Sequence, residues 1–514
     1  MSPGPSSRSQ TWDPFTYASS GSPSRSSRAR TNSLLIRHTH VGVRAALATL
    51  AVLLLASCSR GSDDAAKPTK PTTTTTEPPT TTTAPTTTTT TAPQPTPGAC
   101  PTPPPRSQPD PNRPRYTLTA NVDLAANQVT GRVSVVFTPD KPTDRLIFRL
   151  WPNGPRLSRY GSKLDIGAVT TDNAPAQPQR PDPTTLVVPK QLAAGQQTTA
   201  TVDYVLTIPG PNPDRISRSG DSVRLGSFFP ILSWEPGVGW ATEPPTAGFA
   251  EASLSTNADF TATVTAPPNL NVIATGTTTR PDNTYTAANV PDFALSIGRF
   301  DRRAANVTKH GVTVTVAADA QVRDDPTPYL RSIVASLDDF HDRYGPYPWP
   351  TYTVAITPNL RGGIEYPMHV MQGPGSGGRT TPHEVAHMWF YGLVGSNQGR
   401  TPALDEGLAT WAEARHQNTL ARFRAYTIPA AGRGQAGRPM TFWESRQAAY
   451  YRSVYVQPLH ALAALGPPDL VDCALKVFVA RYAHRVATPK DLIDTLALVF
   501  PDAAATLARF GITA

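Results

Sequence analysis

Thr381-Pro382-His383-Glu384-Val385-Ala386-His387 is the stretch whose reading decides this chain. Positions four apart on a helix share one face, one turn apart. Both imidazoles can therefore reach a single metal ion, and the Glu384 carboxylate points beside it, where water would sit. Thr381 suits an N-cap and Pro382 a first helical position. Val385, Ala386, Met388, Trp389 and Phe390 are apolar, as in a helix buried in a core. A catalytic zinc takes three protein ligands and leaves a fourth position open. Glu406 follows His387 after eighteen intervening residues, within Thr401-Pro402-Ala403-Leu404-Asp405-Glu406-Gly407. Thr401 and Pro402 again open a helix, and two helices joined by a loop can set Glu406 opposite the histidine pair. This pattern predicts one Zn²⁺ per chain held by His383, His387 and Glu406, with Glu384 free to act as general base. Asp405 either bonds a ligating histidine from behind or faces solvent.

These residues resemble the aminopeptidase N family of gluzincin zinc peptidases, to which leukotriene hydrolase belongs. That family's pattern is H-E-x-x-H, eighteen residues, then Glu within L-[ND]-E-G. It also carries G-x-M-E-N upstream, and Gly362-Gly363-Ile364-Glu365-Tyr366-Pro367 stands in that place. Tyr344-Gly345-Pro346-Tyr347-Pro348-Trp349-Pro350 is similar to the family's turn before its edge strand. The resemblance runs from about Tyr116 to the end of the chain. It implies that Glu365 binds the substrate's α-amine, which would make the protein an exopeptidase; the other reading of Glu365 is a structural role in its turn. It also implies that Gly362 and Gly363 let backbone approach the substrate strand. The family's oxyanion donor is the Tyr of Y-x-[KR]-G. Tyr450-Tyr451-Arg452-Ser453 fits as Y-x-R-S, so Tyr450 is the first choice, Tyr455 the second and Tyr451 the third. Ile364 and Tyr366 replace the family's Met and Asn, and its acidic amine-binding partner in the β domain is not visible. The resemblance further implies a form that lacks the large C-terminal helical domain.

Composition organises the rest. The 514 residues include 56 prolines, and these cluster. Residues 45–55 are an apolar run behind Arg44, too short to span a membrane. Leu55-Ala56-Ser57-Cys58 then reads as a lipobox, with Cys58 lipidated and made the mature N-terminus. Residues 1–58 are accordingly a cytoplasmic tail plus lipoprotein signal, although residues 1–44 would also follow from an early start codon. Residues 59–115, rich in Thr and Pro, read as a disordered stalk, open to O-glycosylation. The net charge of +9 falls to +4 once the six Arg and one Asp of residues 1–58 are removed. That is no argument for nucleic acid as a partner. Of the three cysteines, Cys100 and Cys473 can pair outside the cytoplasm, or Cys473 can be a buried thiol.

Residues 116–305 alternate apolar and polar positions between turn residues, which predicts a β-sandwich-like domain. Residues 306–514 predict a thermolysin-like, mainly helical zinc domain; Leu330, Ile333, Val334, Leu337 and Phe340 show helical spacing. The fold class is thus α+β, multidomain. The leading functional expectation is a zinc aminopeptidase acting on peptides, lipid-anchored at the extracytoplasmic face of the cell membrane. The alternatives are an endopeptidase or other hydrolase on the same site, and a non-catalytic surface binding module. Nothing in the sequence indicates an oligomeric state.

Overall fold

The computed structural model describes residues 99–248, 254, 256–278 and 281–514. Cys58 and the chain around it lie outside the described residues, as does most of the expected stalk. Among the described residues no helix is long and apolar enough to cross a membrane.

Strict alternation builds the first sheet. Tyr116, Leu118, Ala120 and Val122 of the strand Arg115–Asp123 are buried, and the residues between them are exposed. One face thus meets water and the other a core, as period-two patterning requires. Seven strands run in the order Thr284–Val290, Ala258–Thr265, Arg115–Asp123, Gln128–Phe137, Thr198–Thr207, Lys163–Thr171, Ala174–Pro175. Arg115–Asp123 pairs parallel with Ala258–Thr265 and antiparallel with Gln128–Phe137. Two four-stranded sheets and a two-stranded one, Trp234–Glu235 with Gly239–Trp240, complete the described part of this half. Aromatic side chains pack on the buried face: the Tyr116 ring stacks on Phe260 of the neighbouring strand at 4.5 Å and meets Phe229 edge-on at 6.2 Å. A single helical turn, α1 (Pro155–Ser158), interrupts the strands.

The second half starts with a five-stranded sheet in the order Arg302–Val307, Thr313–Ala318, Thr351–Ile356, His369–Gln372, Gly363–Ile364. Its first strand pairs with the second over its full length. The expected domain boundary at 305/306 therefore cuts through a strand, and the sheet begins at Arg302. Alternation continues across the junction, so periodicity could not mark it. Helix α2 (Pro326–Tyr344) follows, capped by Asp325, whose side chain accepts from Thr327 N at 3.0 Å. Then come α3 (Thr380–Ala386), α4 (Pro402–His416) and α5 (Leu420–Arg424). A π-helical segment, Tyr451–Val456, leads into the helix Gln457–Ala463. Thr401 and Pro402 open α4 as expected. Thr381 does not cap α3: the helix starts at Thr380, and the Thr381 hydroxyl instead takes a bond from Gln372 Nε2 at 3.1 Å.

A buried carboxylate fixes where α4 sits. Asp472, on the helix Pro468–Tyr482, accepts from Trp411 Nε1 at 2.8 Å and from Arg415 Nε at 2.7 Å, both on α4. It also accepts from Arg343 Nη1 at 2.7 Å and Tyr344 Oη at 3.1 Å, both on α2. Three helices are thus bound through one residue, and α4 is the helix that carries Glu406.

The Pro-rich chain ahead of residue 115 is not all stalk. Ser107 N donates to Ala480 O at 2.8 Å, and Ser107 Oγ to Arg481 O at 2.5 Å. Arg113 Nε bonds Asp259 Oδ1 at 2.8 Å. Cys100 and Cys473 form a disulfide with their Cα atoms 5.8 Å apart. The segment from Cys100 to Pro114 is therefore a strap laid on the folded body, which corrects the boundary placed at 115. Composition misses it because the strap is held by backbone bonds and a covalent link and needs no core of its own. Cys473→Ser is expected to cost about 2–5 kcal/mol of stability, read as a lower urea midpoint. An unchanged midpoint would show that the hydrogen bonds alone hold the strap.

Candidate metal centre and active site

Helix α3 brings His383 and Glu384, and His387 follows in the same helical geometry, with φ −59° and its N–H returning to His383 O. Glu406 comes from the second turn of α4. Their polar atoms converge. His383 Nε2 lies 3.2 Å from His387 Nε2 and 3.2 Å from Glu406 Oε2, and His387 Nε2 lies 3.5 Å from Glu406 Oε2. Metal–ligand bonds of 2.0–2.1 Å in a tetrahedron require ligand–ligand edges of about 3.3 Å. The triangle fits zinc.

The surroundings fit as well. His387 Nδ1 bonds Asp405 Oδ1 at 2.6 Å, and the other Asp405 oxygen is held by Gln398. His383 Nδ1 lies 3.3 Å from Glu413 Oε2, near enough for an ion pair but off line for a hydrogen bond. Arg379 binds the other oxygen of Glu413. Carboxylates behind both Nδ1 atoms turn both Nε2 lone pairs toward the centre, as metal-ligating histidines require. A second grouping, Glu365 with His387 and Asp405, also brings its ligand-type atoms within 4.8 Å. There the Asp405 oxygen is already engaged by His387 Nδ1, so that grouping is support for the first rather than a rival site.

The buried charges show the same need for a cation. Glu365, Glu384, Asp405, Glu406 and Glu413 crowd two imidazoles. Burial lowers the His383 pKa, but Glu406 and Glu413 outweigh it and raise it to about 9. His387 is raised well above its usual value, because Asp405 overcomes burial. Burial raises Glu406, yet its bonds to the two rings bring it down to about 2. A divalent ion would replace the imidazolium protons as counter-charge to this acidic set.

Glu384 is not part of the triangle. It is buried, and its Oε2 has no hydrogen-bond partner among the described residues. Burial pushes its carboxyl up to about 8, with His383 opposing and Glu365 adding to the rise. The edge strand runs directly against it: a Cβ added at Gly363 would meet Glu384 Cδ at 2.4 Å. Gly362, with φ +78°, turns the chain into that strand. Both positions require glycine, Gly363 for the close approach to Glu384 and Gly362 for the turn.

Glu365 follows the edge strand on the His387 side of the centre. Burial raises its carboxyl, His387 opposes, and Asp405 and Glu406 add to the rise. Tyr366 holds this end of the chain: its Oη lies 3.2 Å from Arg215 Nη1 and 3.2 Å from Ser227 Oγ. Both partners come from the β half. Tyr366, one of the two residues that depart from the G-x-M-E-N pattern, is thus a strut between the two halves.

The three tyrosines separate by position. The Tyr455 hydroxyl donates to Glu406 Oε1 at 2.6 Å, and its ring stacks on His383 at 5.7 Å. Tyr450 is fully buried, with its ring against Trp443 and Tyr455. The Tyr451 hydroxyl takes a bond from Arg379. The structure therefore brings Tyr455, and not Tyr450, to the metal triangle. The π-helical segment is the physical reason: its i→i+5 bonding turns a residue onto a face that ordinary helical spacing would not predict. Sequence reasoning also missed Glu413. Its signal was present, since Glu413 lies seven residues beyond Glu406 and so two turns along the same face of α4. Arg379, at the N-cap of α3, lies four residues and about one turn before His383.

No protein-family profile matches the sequence, and no curated protein matches it. Solved structures do match. The M1 zinc metallopeptidase from Deinococcus radiodurans is 19% identical with a TM-score of 0.57, covering 78% of this chain and 95% of its own. A mutant of that enzyme bound to a Tyr-Ser-Ala substrate matches with a TM-score of 0.58 at the same identity and coverage. A two-domain M1 zinc metallopeptidase mutant bound to L-arginine also has a TM-score of 0.58 at 19% identity, covering 78% of this chain and 94% of its own. At this identity the likeness speaks for the fold, and the fold of this chain is that of the two-domain M1 zinc metallopeptidases.

Proposed function

We propose that this protein is a zinc aminopeptidase that removes N-terminal residues from peptides, anchored by lipid at Cys58 to the extracytoplasmic face of the membrane. The observation that carries the reading is the triangle of His383, His387 and Glu406, with Glu384 on one flank and Glu365 on the other. One zinc ion per chain, when bound, supplies Lewis acidity toward water and toward a peptide carbonyl. Glu384 Oε2 takes a proton from water and returns it to the departing amine nitrogen. The Tyr455 hydroxyl donates to the carbonyl oxygen as that oxygen gains negative charge. Glu365 pairs with the substrate ammonium in a site where low dielectric strengthens the contact.

The neighbours' ligands, L-arginine and Tyr-Ser-Ala, both bear a free α-amine, which supports the exopeptidase reading. A non-catalytic binder would have no use for a buried, raised carboxyl at Glu384. The Cys100–Cys473 disulfide supports placement outside the cytoplasm, where such bonds persist.

The test compares free-amine and N-acetylated peptides with the zinc-loaded protein. Free-amine peptides should be cleaved one N-terminal residue at a time, and acetylated ones ignored. Glu365→Gln should lower kcat/KM for free-amine peptides by roughly 10–100-fold, because a charged hydrogen bond is lost. Similar rates on both peptides in the wild type would replace this reading with the endopeptidase one.

A further inference from the structure

Arg379 is bonded to what lies behind His383 and to what lies behind Tyr455. From the N-cap of α3, its Nε donates to Glu413 Oε1 on α4, and its Nη2 donates to the Tyr451 hydroxyl on the π-helical segment. Its guanidinium carbon lies 4.8 Å from the Phe423 ring centre on α5. One guanidinium thus joins four helical elements.

Both bonds lead to the centre. The Glu413 side chain is fully buried, and a buried carboxylate needs a paired cation. Arg379 supplies that cation at one oxygen, and the other oxygen faces His383 Nδ1 at 3.3 Å. On the second branch, the Tyr451 ring lies 5.1 Å from the Tyr455 ring. Tyr455 in turn stacks on His383 at 5.7 Å and donates to Glu406 Oε1 at 2.6 Å. The two branches fix different things. One sets the direction of the His383 ring, and the other sets the place of the Tyr455 hydroxyl. A planar group with several donors can hold two partners in fixed directions, whereas a lysine ammonium is a point charge on a flexible stem. The junction is also open to solutes. A cleft of about 380 Å³ is lined by Arg379, Thr419, Arg422 and Phe423 among others, and the Arg379 side chain is 29% exposed.

We propose that Arg379 is a positioning residue for metal binding and catalysis together: through Glu413 it aims His383 at the metal position, and through Tyr451 it holds Tyr455 at the substrate carbonyl. The Tyr455 branch rests on the peptidase reading; the His383 branch rests on the triangle alone. The test measures zinc affinity of the full chain by chelator competition, and kcat and KM of the zinc-saturated chain on a free-amine peptide. Arg379→Ala should lower zinc affinity and kcat each by roughly 10–100-fold, the usual cost of losing a group that orients a ligand, with KM little changed. Millimolar guanidinium, entering by the cleft, should restore most of both losses, and ammonium at the same concentration should not. Arg379→Lys keeps the charge beside Glu413 but loses the fork, so zinc affinity should stay within a few-fold of wild type while kcat still falls. Arg422→Ala, from the same cleft, should match wild type with or without guanidinium. Wild-type zinc affinity in Arg379→Ala overturns the His383 branch, and wild-type kcat in Arg379→Lys overturns the Tyr455 branch. Losses that guanidinium does not restore overturn the proposal, since they then reflect general instability. Where Arg379→Ala does not fold, Arg379→Lys decides: kcat lost with zinc kept supports the proposal, and any other result overturns it. Absence of peptide cleavage by the wild type overturns the peptidase reading and the Tyr455 branch with it, while zinc affinity still decides the His383 branch.

Discussion

Glu384→Gln is expected to keep its zinc and to lose activity by roughly 10²–10⁴-fold, the usual contribution of a general base. The metal should stay because His383, His387 and Glu406 make the triangle and Glu384 is outside it. The fold should stay because the amide has the shape of the carboxylate and fits against Gly363 in the same way. Activity should fall because an amide oxygen cannot take and return the proton. Burial also raises the Glu384 carboxyl above its usual range, the direction that suits a group that must take a proton from water and give it back. The measurement is metal content beside kcat on one free-amine peptide. A variant that keeps more than about a tenth of the wild-type rate would remove Glu384 from the base role, since such groups contribute at least about 10²-fold.

The parts of this molecule that were legible in sequence are those set by local spacing. His383 and His387 meet because four residues make one turn, and Glu406 joins them from a second helix opened by Thr401 and Pro402. The β half was legible through alternation, as in Tyr116, Leu118, Ala120 and Val122. What was hidden depends on contacts between distant segments. Asp472 holds α4 in place from the far end of the chain, and no spacing rule points to it. Tyr366 looked like damage to a motif, whereas Arg215 and Ser227 make it a strut. The strap from Cys100 looked like stalk because proline-rich composition says only that a segment builds no core. It does not say that the segment lies free. The start of the five-stranded sheet at Arg302 was hidden for the opposite reason, since strands continue on both sides of it.

The assignment most altered by the structure gives the second large effect. Tyr455→Phe should lower kcat by roughly 10²–10³-fold, the loss that follows removal of one oxyanion donor, with little change in KM. Two observations carry it. The Tyr455 hydroxyl lies at the triangle, 2.6 Å from Glu406 Oε1, and the ring is held flat against His383. During reaction the hydroxyl needs only to turn from that carboxylate to the substrate oxygen beside it. A donor used in the transition state and not in substrate binding changes kcat and spares KM. Tyr450→Phe, by contrast, removes a hydroxyl from a fully buried ring packed on Trp443. Its effect should be confined to thermal stability, with kcat per folded molecule within a few-fold of wild type. Both variants keep their rings, so both should fold and bind zinc. Near-normal turnover in Tyr455→Phe beside a collapse in Tyr450→Phe would return the role to the Y-x-R-S position. It would also mean that the π-helical segment rearranges when substrate binds, because only such a shift could carry Tyr450 to the centre.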